Sequence, residues 1–152
     1  MTVTTDRSGL VGQSVSRVED VRLLQGGGTY VADGEPVGTL HAAFVRSPMA
    51  HATITSIDAS AARTAPGVVA VITGAEIEDI TLPFVPIAPA PGLYTPLYHA
   101  LSSEKVRHVG DPVALVLAAS RHLAEDAVEL VDVEYEQLDA IATMAAALAG
   151  DA

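Results

Sequence analysis

KVRHVGDPVALVLAASRHLAEDAVELVDVEYEQLDAI, residues 105–141, is the stretch that decides the fold class. Two short apolar runs, Val106 to Val109 and Val113 to Ala118, flank Gly110-Asp111-Pro112, a turn sequence whose Asp side chain can cap backbone N–H groups. Ser120 stands where a helix N-cap belongs, and its hydroxyl can accept from an N–H that the first turn leaves unpaired. From Arg121 to Leu130, Leu123, Ala124, Ala127 and Val128 share one face, continued by Val131, while Glu125, Asp126 and Glu129 share the other. The period then changes from about 3.6 residues to about 2. Val131, Val133 and Tyr135 alternate with Asp132, Glu134 and Glu136, as in a strand with one face in water. The stretch predicts strand, strand, helix, strand.

The same order is written once before. Gly38 to Arg46 sets Leu40, Ala42 and Phe44 against Thr39, His41 and Ala43, and after the Ser47-Pro48 turn Ala52 to Ile57 returns as a second strand. Asp58 is placed to cap a helix over Ala59 to Ala65, which Pro66-Gly67 ends. Val68 to Ile72 is apolar without alternation and predicts a strand covered on both faces. The repeated order hints at internal duplication and favours an α/β class, of α+β type, with a mixed sheet and helices on one side. Upstream, Arg17 to Leu24 reads as a short helix stopped by Gly26-Gly27-Gly28, with positive φ expected at Gly27 or Gly28. Tyr30 and Val31 begin an extended piece, broken at Asp33-Gly34-Glu35-Pro36. Thr143 opens a short Ala-rich helix. Residues 1–12 read as a tail and 13–152 as a single domain.

Glu78 to Ser103 differs from everything around it. Five of the nine prolines lie here (Pro83, Pro86, Pro89, Pro91 and Pro96), and a loop this long in a compact domain is characteristic of a lid or a disordered segment. Leu82, Phe84, Val85, Ile87, Leu93, Tyr94, Leu97 and Tyr98 make it too apolar for a free linker, so it is expected to pack on something.

Composition narrows the function classes. A chain of 152 residues suffices for one domain, which buries about 70% of the surface its unfolded form exposes. Hydrophobic residues make up 49%, mostly Ala, Val, Ile and Leu, with no Trp and two Phe, so small side chains should fill the core. Without Cys the chain can form no disulfide, thiolate metal site or Cys-ligated iron–sulfur cluster. No run reaches the roughly 18 apolar residues of a membrane span, and Met1 to Ser8 lacks a signal-peptide layout, so a cytoplasmic location is expected. A net charge of −11 repels nucleic-acid phosphates and anionic lipid, leaving neither as an expected partner.

No catalytic constellation stands out. The glycines at 26–28 follow a helix and lead into an extended piece, the reverse of a nucleotide-binding loop. His41, His51, His99, His108 and His122 form no pair at metal-ligand spacing. Glu125, Asp126 and Glu129 sit on the solvent face of their helix, and Ser47, Ser102, Ser103 and Ser120 lack a nucleophile-elbow context.

Taken in order, RVEDVRLLQGGGTY (17–30), GTLHAAFVRSPMAHATITSID (38–58), APGVVAVITGAE (65–76) and the stretch 105–141 resemble the opening domain of molybdenum-hydroxylase large subunits. That family includes xanthine dehydrogenase, aldehyde oxidase and aerobic carbon-monoxide dehydrogenase, and the wording is most like the last. The resemblance covers nearly the whole chain after Gly12. Met49 departs from it, standing in a surface turn where the family commonly has His. The resemblance implies the α/β hammerhead fold. It also implies an oxidoreductase that hydroxylates its substrate with oxygen from water. Molybdopterin cytosine dinucleotide would be held by later or partner large-subunit domains, with FAD and [2Fe–2S] in partner flavin and iron–sulfur subunits. The catalytic Glu and the molybdenum-binding loops belong to those domains, so this chain is expected to bind no cofactor or metal and to catalyse nothing alone. Its expected role is structural, with the loop at 78–103, through Leu93, Tyr94 or Leu97, lining the substrate funnel or an interface. The alternative is a non-catalytic interaction module or truncated remnant with the same fold.

Overall fold

The computed structural model describes residues 12, 14–84 and 97–149, which fall into two compact units, Met1–Val37 and Gly38–Ala152. In the first, helix α1 (Asp20–Leu24) is shorter than the sequence implies. Gly27 N–H donates to Arg22 O and Gly26 N–H to Leu23 O, the paired bonds of a Schellman stop. The left-handed residue of that stop is Gly26, at φ 73°, not Gly27 or Gly28. Tyr30 and Val31 do not open an extended piece. Val31–Asp33 is a 3₁₀ turn, because the Asp33 carboxylate accepts the Tyr30 N–H at 2.7 Å and closes the chain locally.

The second unit runs β1 (His41–Arg46), β2 (Ala52–Asp58), α2 (Ser60–Thr64), β3 (Val68–Thr73), α3 (Gly74–Ile77), β4 (Lys105–Val106), β5 (Pro112–Ala118), α4 (Arg121–Val128), β6 (Asp132–Gln137) and α5 (Met144–Leu148). Among the described residues the strands form, instead of one mixed sheet, two three-stranded sheets, β1-β5-β3 and β4-β2-β6, in which every pairing is antiparallel. The repeated strand–strand–helix–strand order is physical. Each half of the unit supplies the outer strands of one sheet and the central strand of the other, so the halves interlock.

Local signals place the elements. Ser120 Oγ accepts Leu123 N–H and starts α4, and Thr143 Oγ1 accepts Ala146 N–H and starts α5. Asp58 acts one position further out than expected, accepting Ser60 N–H at 2.9 Å while Ala59 occupies the N-cap. The strand covered on both faces is β5, which lies between β1 and β3; β3 is an edge strand with Val69 exposed. A run such as VVAVI does not reveal whether it will be central or peripheral.

One core joins both sheets and two helices: Val45, Val71, Val113 and Val116 from the first sheet, Ala52 and Val106 from the second, Ala59 and Ala62 beside or within α2, and Ala127 of α4. Met49 packs against it rather than lying on a surface turn. With so many alanines at the centre, the layers sit close, and added volume is as harmful as a cavity.

Candidate functional site at the base of the loop

The ends of the segment 78–103 are tied together. Phe84 N–H donates to Tyr98 O at 2.7 Å in an isolated antiparallel bridge, and Ser103 Oγ donates to Glu78 Oε2 at 3.1 Å. Ser102 N–H donates to Pro112 O, and Leu101 is buried, so this end is also fastened to β5 and the core. Gly74 makes the approach feasible: a Cβ there would lie 2.7 Å from Ser102 O and 2.9 Å from Ser103 N. The side entering the loop is held by Glu76, whose carboxylate accepts Thr73 N–H at 2.7 Å and pairs with Arg63 at 2.7 Å. The Thr73 backbone bond, assisted by Arg63, holds this carboxyl below its ordinary range.

Above this base the apolar side chains face water. Leu82 is 92% exposed, Phe84 68%, Leu97 57% and Tyr98 43%. Of the residues singled out for a funnel or interface, Leu97 stands on this rim, while Leu93 and Tyr94 lie outside the described residues. Leu97 and Tyr98 also line a cavity of about 200 Å³ with Glu78, His99, Lys105 and Asp111. His99 Nδ1 is buried without a hydrogen-bond partner among the described residues, which marks the cavity as polar and incompletely satisfied.

The fit of a pterin dinucleotide can be tested on these groups. The cavity is below the roughly 300–1,000 Å³ usual for ligand sites, and it sets carboxylates beside its cations, where a pyrophosphate would meet repulsion. Phosphates favour helix N-termini, but α4, the one helix of eight residues among those described, opens at Ser120, which does not line the cavity. No group of three His, Cys, Asp or Glu able to hold a metal occurs among the described residues. The cavity does not fit the group.

Other candidates resolve into structural roles. Arg121 Nε donates to Glu125 Oε1 at 2.8 Å, and that hydrogen bond holds the Glu125 carboxyl low, a solvated pair rather than an acid–base group. Ser47 is buried, and its Oγ accepts Met49 N–H at 3.0 Å. Burial, reinforced by the nearby Asp111 charge, raises the Tyr135 phenol against the opposing Ser47 hydrogen bond. Gly74 and Leu101 escaped sequence reasoning, and His99 was weighed there only as a metal ligand, because the role of each is defined by a neighbour distant along the chain. Among the described residues no helix is long and apolar enough to cross a membrane.

Comparison with known proteins agrees with this architecture. Residues 25–139 match the family described as aldehyde oxidase and xanthine dehydrogenase, a/b hammerhead domain. The large subunit of nicotine 6-hydroxylase from Paenarthrobacter nicotinovorans is 47% identical over 87% of this chain and 16% of its own length. The carbon monoxide dehydrogenase large chain of Afipia carboxidovorans is 42% identical over 93% of this chain and 17% of its own. Quinoline 2-oxidoreductase from Pseudomonas putida 86 superposes with a TM-score of 0.87 at 45% identity, covering 93% of this chain and 18% of that one. The chain therefore spans less than a fifth of the length of these relatives. It belongs to the aldehyde oxidase and xanthine dehydrogenase family, as its α/β hammerhead domain.

Proposed function

We propose that residues 13–152 form one hammerhead domain, preceded by a tail at 1–12, that acts as part or split subunit of a molybdenum hydroxylase and supplies structure and funnel wall rather than chemistry. The supporting observation is the rim at the loop base: four large apolar side chains exposed above a hydrogen-bonded, core-anchored foundation. Such a rim loses solvent-exposed apolar area when covered, and its anchored ends lower the entropy lost on docking. The segment carrying Leu93, Tyr94 and Leu97 then lies against the molybdenum-binding domains, where its apolar side chains shape the approach to the substrate and exclude water.

In this reading molybdopterin cytosine dinucleotide is held by those other domains, and FAD and [2Fe–2S] by partner subunits in the cytoplasm. The molybdenum group, when bound there, supplies the redox chemistry of hydroxylation. Limited proteolysis tests the docking. Cleavage within 78–103 is expected to be fast in the lone chain and strongly slowed when the molybdenum-binding domains are present. Equal cleavage with and without them would reject it.

A further inference from the structure

Each three-stranded sheet has two outer strands, and among the described residues no further strand pairs with any of them. Three of these free edges carry a feature that discourages strand addition. On β3, Arg63 Nη2 donates to Val71 O at 3.2 Å and to Glu76 Oε1 at 2.7 Å, so a tethered side chain occupies an edge carbonyl. On β6, Asp132, Glu134 and Glu136 stand exposed, and β4 is only two residues long. The edge of β1, HAAFVR, shows none of these features among the described residues. It has no carboxylate, and its arginine, Arg46, is the last residue and lies over the Phe44 ring, 5.3 Å from its centroid.

The hydrogen bonds around β5 identify which groups of β1 stay open. Just past β5, Ala119 N–H donates to Gly67 O, ahead of β3, at 2.9 Å. Backbone groups alternate in direction along an antiparallel strand, so Leu117 and Leu115 also bond towards β3, while Val116 and Ala114 bond towards β1. The Arg63 contact agrees with this. Val71 stands opposite Val116, and its carbonyl is turned outward, where Arg63 reaches it. On β1 the residues opposite Val116 and Ala114 are Ala43 and Val45, which therefore face β5. The N–H and C=O groups of Ala42 and Phe44 point to the open edge, and the side chains of both are exposed.

We infer that this edge pairs with β1 of a second copy of the chain, antiparallel and with the two Ala43 residues opposite each other. The two sheets then continue into one. In that register Ala42 and Phe44 exchange backbone hydrogen bonds with Phe44 and Ala42 of the second copy. Each Phe44 ring lies beside a small Ala42, and each Arg46 falls opposite a Leu40, which keeps the two arginines at opposite ends of the seam. The strand is thus complementary to itself in size and charge, which selects a second copy as the occupant. With the β3 edge held by Arg63, one addition completes the sheet, giving a closed twofold pair rather than an open-ended fibre. The association is weak, because one short strand covers less than the roughly 1,200 Å² of a stable interface and two chains of net charge −11 repel. Neither the loop at 78–103 nor any cofactor takes part.

Sedimentation equilibrium and NMR amide exchange on the full chain test the pairing. A dimer with a dissociation constant on the order of 0.1 mM is expected. It should tighten severalfold between about 0.02 and about 0.5 M salt, as screening relieves the repulsion. In dilute samples the Ala43 and Val45 amides should exchange slowly and those of Ala42 and Phe44 fast; in concentrated samples all of them should be protected. A42P removes an outward N–H at a position where an edge strand tolerates proline, so it should abolish association and keep the unfolding transition. V69K, on the β3 edge, should leave association unchanged. A chain that stays monomeric at about 1 mM, well above the expected constant, would overturn the inference. So would Ala42 and Phe44 amides already protected in the dilute chain, which would mean that its own residues cover the edge. A dimer that persists in folded A42P, that loosens as salt rises, or that V69K disrupts as strongly as A42P would also overturn it.

Discussion

The two sheets share a topology and differ in how they are buried. In β1-β5-β3 the central strand, PVALVLA, is apolar on both faces, because α2 and α4 pack on this sheet while the common core lies against it. In β4-β2-β6 the central strand, ATITSID, keeps Ser56 and Asp58 exposed. Ser56 Oγ donates to Glu134 Oε2 across to β6 at 2.9 Å, a bond made on the solvent side. Being central is therefore not the same as being buried. Hydrogen bonding fixes a strand's neighbours, and the layers above and below fix its composition.

The interlock gives the largest expected effect. Expressed separately, residues 1–90 and 91–152 should show no cooperative unfolding, since each lacks the central strand of its own sheet; mixed, they should regain strand circular dichroism. Independent folding of either fragment would break the account of the fold. Next comes V116D, which places a carboxylate at a fully buried position of β5 and should destabilise by about 4 kcal/mol or more. T55D, on the exposed face of β2, should stay within about 1 kcal/mol by urea denaturation. Similar effects of the two would erase the contrast between the sheets.

Smaller effects concern the loop base. G74A should cost about 1–3 kcal/mol, because its methyl meets the Ser102–Ser103 backbone, and should speed proteolysis within 78–103. Glu76 gives a pH-dependent signature. Its folded pKa is lowered from 4.5, so its contribution is present above that value and is lost as pH falls through the lower folded one. Because the pair is half-exposed, that contribution is about 1 kcal/mol or less. E76Q should flatten the acid-side loss of stability and leave neutral pH within that margin; an unchanged acid slope would remove Glu76 from the account.

What could be read from the sequence was what neighbours along the chain determine. The Ser120 and Thr143 caps, the face of α4 that buries Ala124 and Ala127, and the alternation of β6 all depend on residues within a few positions. Pairing was not legible in this way. VVAVI and PVALVLA look alike, yet one lies at an edge and the other at the centre, a choice made by β1, sixty-odd residues upstream of β5. The family resemblance supplied the fold where periodicity could not. The loop was legible as an apolar, proline-rich anomaly, and Leu97 stands on its rim, but Gly74, Leu101 and His99 Nδ1, which is buried without a partner among the described residues, depend on contacts across the fold.

The central claim is that this chain completes a molybdenum hydroxylase through the rim at its loop base, and co-expression tests it most directly. The chain, and an L82S/F84S/L97S variant, would be produced with the molybdenum-binding large-subunit domains, and complex stoichiometry and molybdenum content measured after size exclusion. The account predicts a one-to-one complex containing molybdenum, with association lost in the triple variant while the variant's own unfolding transition is kept. A folded chain that never co-elutes with those domains, or a triple variant that assembles as well as the parent, would contradict it.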